Sequence, residues 1–265
     1  MTGHLLTASP LYITVTAVIT IAAAARGVWS PCGLSMISAI NPFSEKARGN
    51  RYWLTACWFV LGSTVGGLLL GGLTAVLAAL AGLFAETGEL LVVIGVVGAL
   101  LALLSDSRLT SFQLPEHPRQ VNEQWLGRYR RWAYAAGFGI QIGFGFATYI
   151  MTAAVYLAAI LGALSGSVTM ALAVGATFGV TRGLAVLLSS RAENPADLRR
   201  LHRRIDLFTT RSLQLVMVIE AGAAVLLAYL AAGSVAAAAV ALLVLLFAGW
   251  YRNRAQHRDR VSLTS

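Results

Sequence analysis

The chain has 265 residues, of which 57% are hydrophobic and only 12% are charged. A soluble domain usually carries about 25% charged residues, and a disordered chain is poor in hydrophobic residues, so the composition excludes both classes. The two cysteines cannot build a disulfide scaffold or a four-thiolate zinc site. The formal net charge is +9. The composition favours a polytopic α-helical membrane protein.

Seven apolar stretches are each long enough to cross a bilayer, which takes about 20 helical residues. In chain order they are 12–40, 53–82, 89–105, 132–162, 168–189, 212–232 and 235–250. Every basic residue except Arg26 and Arg182 lies in polar segments on one side of these spans, and neutral or acidic turns lie on the other. The positive-inside rule then predicts a multi-pass plasma-membrane protein with its N-terminus outside and its C-terminus in the cytoplasm.

The basic segments lack the interleaved aromatic residues and the folded domain of a nucleic-acid interface, so we interpret them as topology determinants that contact lipid headgroups. The first ten residues lack the basic start of a signal peptide, which predicts that the first span is retained as an anchor. The four histidines lie outside the spans and form no metal constellation, namely His4, His117, His202 and His257. The sequence therefore predicts a lipid bilayer as partner, and no nucleic acid, metal or cofactor.

The first and fourth spans are about 29 and 31 residues long, which exceeds what the bilayer requires. Residues 26–33 of the first span, Arg-Gly-Val-Trp-Ser-Pro-Cys-Gly, contain helix breakers, and so do Gly137-Phe-Gly139 and Gly143-Phe-Gly145 of the fourth. Interrupted helices at corresponding positions of two halves indicate an inverted repeat. The alternative is a pair of tilted helices with harmless glycines.

We therefore predict an all-α fold of about seven transmembrane helices, arranged as a 3+3 inverted repeat with one extra C-terminal helix. The predicted division is a first repeat at 1–105, a cytoplasmic loop at 106–131, a second repeat at 132–232, and a final helix with a basic tail at 233–265. A short helix is expected in the loop near 120–128. The glycines of the second span, at 62, 66, 67 and 71, predict close helix packing.

The first span contains the candidate for chemistry, Ser30-Pro31-Cys32, at a depth of about 12 Å by helix rise. A lone membrane cysteine is usually an inert small hydrophobe, but a proline break opens space beside the thiol. Cys57 lies about 6 Å deep in the second span. A disulfide between Cys32 and Cys57 requires the two helices to touch there.

Arg182 and Glu220 lie at about the same depth as Cys32, and charges in hydrocarbon seek partners. We predict an Arg182–Glu220 ion pair, which either fixes helix register or belongs to a cavity or relay. An Arg182 guanidinium near Cys32 would favour the thiolate. Arg26, just before the proline break, either pairs with Glu220 or points into an aqueous vestibule.

The segment Trp29-Ser-Pro-Cys-Gly-Leu34 and the Gly-rich second span resemble the first repeat of the CcdA/DsbD transmembrane redox proteins of cytochrome c biogenesis, within the LysE superfamily. The Gly-Val-Thr-Arg-Gly-Leu stretch around Arg182 is similar to their fifth helix. This resemblance implies that Cys32 is catalytic and carries reducing equivalents from a cytoplasmic thioredoxin to an extracytoplasmic thiol protein. Pro31, Arg182, Glu220 and Arg26 would support it.

The second intramembrane cysteine of that family is missing, because the matching place reads Gly145-Phe-Ala-Thr-Tyr149. Either Cys57 supplies the second thiol, or Cys32 works through mixed disulfides with a partner, or the scaffold no longer carries out redox chemistry. The resemblance also implies an alternative, in which the same scaffold is a small-solute or ion transporter with a path lined by Arg26, Arg182 and Glu220.

Overall fold

The structure is a computed structural model that describes residues 9–84, 88–109, 112–115 and 128–262, and every regular element within those ranges is helical. The predicted all-α fold is therefore confirmed. The helices are α1 Pro10–Arg26, α2 Pro31–Ala39, α3 Pro42–Ala47, α4 Tyr52–Phe84, α5 Gly88–Ser107, α6 Arg131–Phe144, α7 Ala154–Leu164, α8 Val168–Leu184, α9 Pro195–Leu207 and α10 Thr209–Ser262. The loop helix predicted near 120–128 lies almost wholly outside the described residues.

Five of these helices are long and apolar enough to cross a membrane, namely α1, α4, α5, α8 and α10. Such helices fit a multi-pass membrane protein. The prediction of seven spans differs from this count for a physical reason. The fourth predicted span is divided into two shorter helices, and the last two adjoin at a break in the helical backbone inside α10, with no loop between them.

Both long spans are interrupted. The first breaks after α1, where a 3-10 turn at Gly27–Trp29 leads into α2. The fourth breaks after α6, where Gly145 adopts a φ of 76°, and helix resumes only at α7. The predicted break at 137–139 is wrong, because these residues lie inside α6.

Helix α10 contains the predicted turn at 233–234 as a kink. Ala232 has a φ of −145° and Gly233 a φ of 76°, so the helical conformation fails at this point although the hydrogen-bonded chain continues on both sides. A positive φ is accessible to glycine at little cost, which explains the residue found there. The sixth and seventh predicted spans therefore follow each other directly across this kink.

The glycines of α4 allow two other helices to approach it closely, as predicted. A Cβ built at Gly62 or Gly66 would overlap the backbone of α6, and one at Gly67 would overlap the backbone of α8. Gly139 and Gly143 face α4 in the same way from α6. Backbone contact between helices needs small residues on both sides, so these glycines fix α4 at the centre of the bundle.

Helices α1, α5, α7 and α10 form the neighbouring part of the bundle around a second apolar cluster. The Tyr12 hydroxyl of α1 donates a 2.7 Å hydrogen bond to the carbonyl of Leu161 in α7. At the opposite end of α1, the Trp29 indole donates a 2.8 Å bond to the carbonyl of Ile205 in α9. Helix α9 is amphipathic, with Ile205 buried and its arginines outside, so it fits the membrane surface at this end.

Candidate functional site

The break before Cys32 is a regular helix start. The Ser30 hydroxyl accepts a 3.0 Å hydrogen bond from the Gly33 amide and donates a 2.7 Å bond to the Gly27 carbonyl. Pro31 occupies the first helical position, where its missing N–H is not needed. The backbone groups freed by the interruption are thus partly satisfied by Ser30, and Ser-Pro here marks the N-terminus of α2.

Cys32 lies in the first turn of α2 and is 1% exposed. It belongs to an apolar cluster that includes Val28, Met36 and Phe138. Cys57 is exposed on α4, and the two cysteines form no disulfide bond. The Cys32–Cys57 disulfide that the sequence left open is therefore absent, because Cys57 is exposed on the outer surface of α4 whereas Cys32 is buried.

Arg182 contacts the first break directly. A Cβ built at Gly27 would overlap the guanidinium of Arg182, so only glycine leaves room for this side chain. The guanidinium carbon lies 5.7 Å from the centre of the Phe178 ring, and the charge is close enough to Cys32 to interact with it electrostatically. Phe178 in turn meets Gly145 at the second break. Helix α8 thus brings both interruptions together.

The predicted Arg182–Glu220 ion pair is wrong. Among the described residues, Nη2 of Arg182 and both carboxylate oxygens of Glu220 have no hydrogen-bond partner, although the two residues are 4% and 0% exposed. The reason is lateral position. Arg182 is on α8, which packs mainly against α4, whereas Glu220 is on α10, which packs mainly against α5 and α1.

Arg26 neither pairs with Glu220 nor points into an aqueous vestibule, the two alternatives considered from sequence. One of its terminal nitrogens donates a 3.0 Å hydrogen bond to the Ser212 hydroxyl of α10. Its guanidinium carbon lies 5.4 Å from the centre of the Trp29 ring, which is a cation–π distance. Its Nε has no hydrogen-bond partner in the described part of the chain. The side chain is 4% exposed, so it does not open into a wide aqueous vestibule.

Asp106 is a buried charge that the sequence analysis placed in the cytoplasmic loop. Its carboxylate accepts hydrogen bonds from the Thr152 hydroxyl and, at 2.7 Å, from the Ala153 amide. It therefore caps the N-terminus of α7, where a negative charge is favoured. Asp106 also interacts electrostatically with Arg26 and Glu220, but no ion pair forms between Asp106 and Arg26 in the described structure. The position of Asp106 at the end of an apolar run was the available signal.

Glu45 is a second buried carboxylate that the sequence analysis missed. It accepts hydrogen bonds from the Tyr134 hydroxyl at 2.8 Å, from the Thr55 hydroxyl at 2.6 Å and from Arg48 at 2.7 Å. The residue is fully buried between α3, α4 and α6. Its donors come from three parts of the chain, so no local sequence pattern predicted that this carboxylate is buried.

The described residues contain no group of three side chains suited to a metal ion. His202 lies 3.2 Å from the Ser38 hydroxyl, while His4 and His117 lie outside the described residues. The candidate site is therefore a set of four buried charged residues: Arg26 and Arg182 at the first helix break, Asp106 at the start of α7, and Glu220 on α10. Such groups hold or attract counter-charge in hydrocarbon and mark functional positions in membrane proteins.

The chain is similar to the methylamine utilization protein MauF. MauF of Paracoccus denitrificans is 30% identical over 181 residues, which cover 66% of this chain and 64% of that protein. MauF of Paracoccus versutus is 33% identical over 166 residues, which cover 61% and 59%. The MauF of Methylophilus methylotrophus is 30% identical over 61% of this chain and 57% of its own length. The chain spans less than two thirds of the length of these relatives. No family model and no solved structure matches it.

The MauF relatives overturn the resemblance to CcdA/DsbD, because MauF is a distinct family. The predictions that depended on it are wrong with it: a thiol-disulfide carrier, a role in cytochrome c biogenesis, a thioredoxin and a thiol-protein partner, and a LysE-type transporter. The structure gives the physical reason. Ser30 and Pro31 serve as a cap and first residue of α2, which any helix start can use.

Proposed function

We propose that this chain is a multi-pass membrane component of methylamine utilization. The observation that carries the proposal is the similarity to MauF from several methylamine-utilizing systems over roughly three fifths of the chain or more. The apolar helices indicate where this component acts, namely within the bilayer.

Complementation in Paracoccus denitrificans lacking its own MauF tests this function. We expect the chain to restore growth on methylamine and to make no difference on succinate with ammonium. The control is a chimera in which this chain replaces the matching segment of that MauF. The chimera retains the part of MauF that this chain does not match. No growth from either protein, although both reach the membrane, would contradict the proposal.

We propose further that Arg182 on α8 and Glu220 on α10 are the working groups of this component. The support is their chemistry: they are buried charged residues in apolar helices, and neither Arg182 nor Glu220 is ion-paired among the described residues. A charge in hydrocarbon costs roughly 2.5 to 3.5 kcal/mol on insertion scales, so a protein that keeps one without a structural partner has another use for it. Cys57, exposed on α4, is not included in this set.

We also propose the inverted repeat, with halves at 1–105 and 132–232, and the N-terminus outside the plasma membrane. The support is the pair of interruptions at the starts of α2 and α7, both of which meet α8 through Gly27 and Gly145. The basic tail of α10 supports a cytoplasmic C-terminus. A C-terminal green fluorescent protein should therefore fluoresce, whereas a C-terminal alkaline phosphatase should be inactive; the reverse would contradict this orientation.

A further inference from the structure

An apolar groove runs between α1 and α10 on the outside of the bundle. One part of it is lined by Val18, Ala22 and Ile219 among others and ends at Trp29. The adjoining part shares Val18 and Ile219 and reaches Leu11 at the other end of α1. By helix rise, Leu11–Trp29 covers about 27 Å, which is close to the roughly 30 Å thickness of the hydrocarbon core.

The end of the groove at Trp29 carries a buried positive charge. The Arg26 side chain lines the groove there, between the Trp29 ring and the Ser212 hydroxyl, which line it too. Its Nε has no hydrogen-bond partner in the described part of the chain, although the residue is 96% buried. Tryptophan favours the boundary between hydrocarbon and headgroups, so this end of the groove matches the level of a phosphate.

The nearest carboxylate does not neutralise Arg26 by direct contact. Asp106 interacts with it electrostatically, but both of its oxygens are engaged by Thr152 and Ala153 at the start of α7. Arg108 adds a second positive charge to this neighbourhood. An apolar groove that ends at an arginine with an open donor is complementary to a long apolar chain attached to an anion.

We propose that the groove between α1 and α10 binds an anionic phospholipid, with one acyl chain along Val18 and Ile219 and its phosphate on Arg26. The inference does not rest on the role in methylamine utilization. It concerns a different surface from the Arg182–Glu220 centre. Arg26 thereby acquires an anionic partner in direct contact, which the described residues do not supply.

The structure offers a variant that fills the groove without disturbing the fold. Gly222 lines the part near Leu11, and a Cβ built there meets no atom within 4 Å. Gly222→Leu therefore occupies the space of the acyl chain and also improves helix propensity. Gly72→Leu is its matched control, because a Cβ at this helical glycine also meets nothing. Arg200→Gln controls for the loss of an exposed arginine away from the groove.

The test measures lipid binding by the purified full chain in detergent. Phosphatidylglycerol, phosphatidylcholine with the same chains, and inorganic phosphate are titrated separately, and bound lipid is counted by native mass spectrometry alongside the unfolding midpoint. We expect phosphatidylglycerol to bind and to raise the midpoint by mass action. Arg26→Gln should weaken this binding about tenfold, as befits one charge-assisted hydrogen bond, and Gly222→Leu should abolish it. Gly72→Leu and Arg200→Gln should bind as wild type does.

Three results would overturn the proposal. Equal binding of the two phospholipids would make the groove an ordinary lipid-facing surface. An equal effect of inorganic phosphate on the unfolding midpoint would show that the acyl chain does not contribute to binding. Unchanged phosphatidylglycerol binding in Gly222→Leu would place the bound lipid outside this groove. Because Gly222→Leu leaves Arg26 in place, the test stands even if Arg26→Gln fails to fold.

Discussion

Two fully buried glutamates lie in opposite environments in this protein. Glu45 accepts hydrogen bonds from Tyr134, Thr55 and Arg48, while both oxygens of Glu220 have no partner among the described residues. Each is 0% exposed. Burying a carboxylate is tolerable when donors and a cation surround it, and costly when they do not. The first environment stabilises the fold, and the second requires a reason outside stability.

Replacing Glu45 should produce the largest loss of stability. Glu45→Ala removes the shared acceptor of the Thr55 and Tyr134 hydroxyls and of the partly exposed Arg48, and each hydrogen bond to a charged group of this kind contributes about 1.5–3 kcal/mol. We expect a large drop in the unfolding midpoint in detergent and a low yield of monodisperse protein. Tyr134→Phe removes one donor and should cost about 1.5–3 kcal/mol, whereas the exposed Tyr229→Phe should change nothing. A Glu45→Ala protein as stable as wild type would remove the contrast between the two glutamates.

Replacing Cys32 should have an intermediate effect on stability and none on function. Cys32→Ala removes one buried atom from the apolar cluster around Val28 and Phe138, which costs about 1 kcal/mol. Since no disulfide joins Cys32 to Cys57, we expect the variant to support growth on methylamine like wild type. The measurement is the complementation assay together with the unfolding midpoint. Loss of growth in a variant that folds normally would place the thiol itself in the mechanism.

Sequence patterns predicted the features that depend on local chemistry. Ser30-Pro31 marked a break because a cap residue followed by proline starts a helix wherever it occurs. Gly233 marked the kink in α10, and the glycines of α4 marked its close crossings. The break predicted at 137–139 failed since glycine permits a break without requiring one. There the contacts of α6 with α4 keep the helix intact.

The structure confirms that Arg182 and Glu220 are buried, but the partners predicted for them are wrong. Depth along the membrane follows from counting residues, and it placed Arg182 and Glu220 at one level. It carries no information about which helices are neighbours. The structure places α8 against α4 and α10 against α5, so the two charges never pair. Asp106 and Glu45 were missed for the same reason, because each accepts a hydrogen bond from a distant hydroxyl: Thr152 lies 46 residues from Asp106, and Tyr134 lies 89 residues from Glu45.

Replacing Glu220 should have the smallest effect on stability and a decisive one on function. Glu220→Gln keeps the shape of the side chain and replaces a carboxyl group that has no hydrogen-bond partner among the described residues, so the unfolding free energy should stay within about 0.5 kcal/mol of wild type or rise. Growth on methylamine should nevertheless be lost. Glu45→Gln is the matched control, in which folding should fail before function does. A Glu220→Gln protein that is strongly destabilised would reveal a hidden structural partner, and one that grows normally would remove Glu220 from the working centre. Both variants exchange a fully buried glutamate for glutamine, so they differ only in the surroundings of the side chain. The pair therefore distinguishes a carboxyl group that is needed for folding from one that is needed for function.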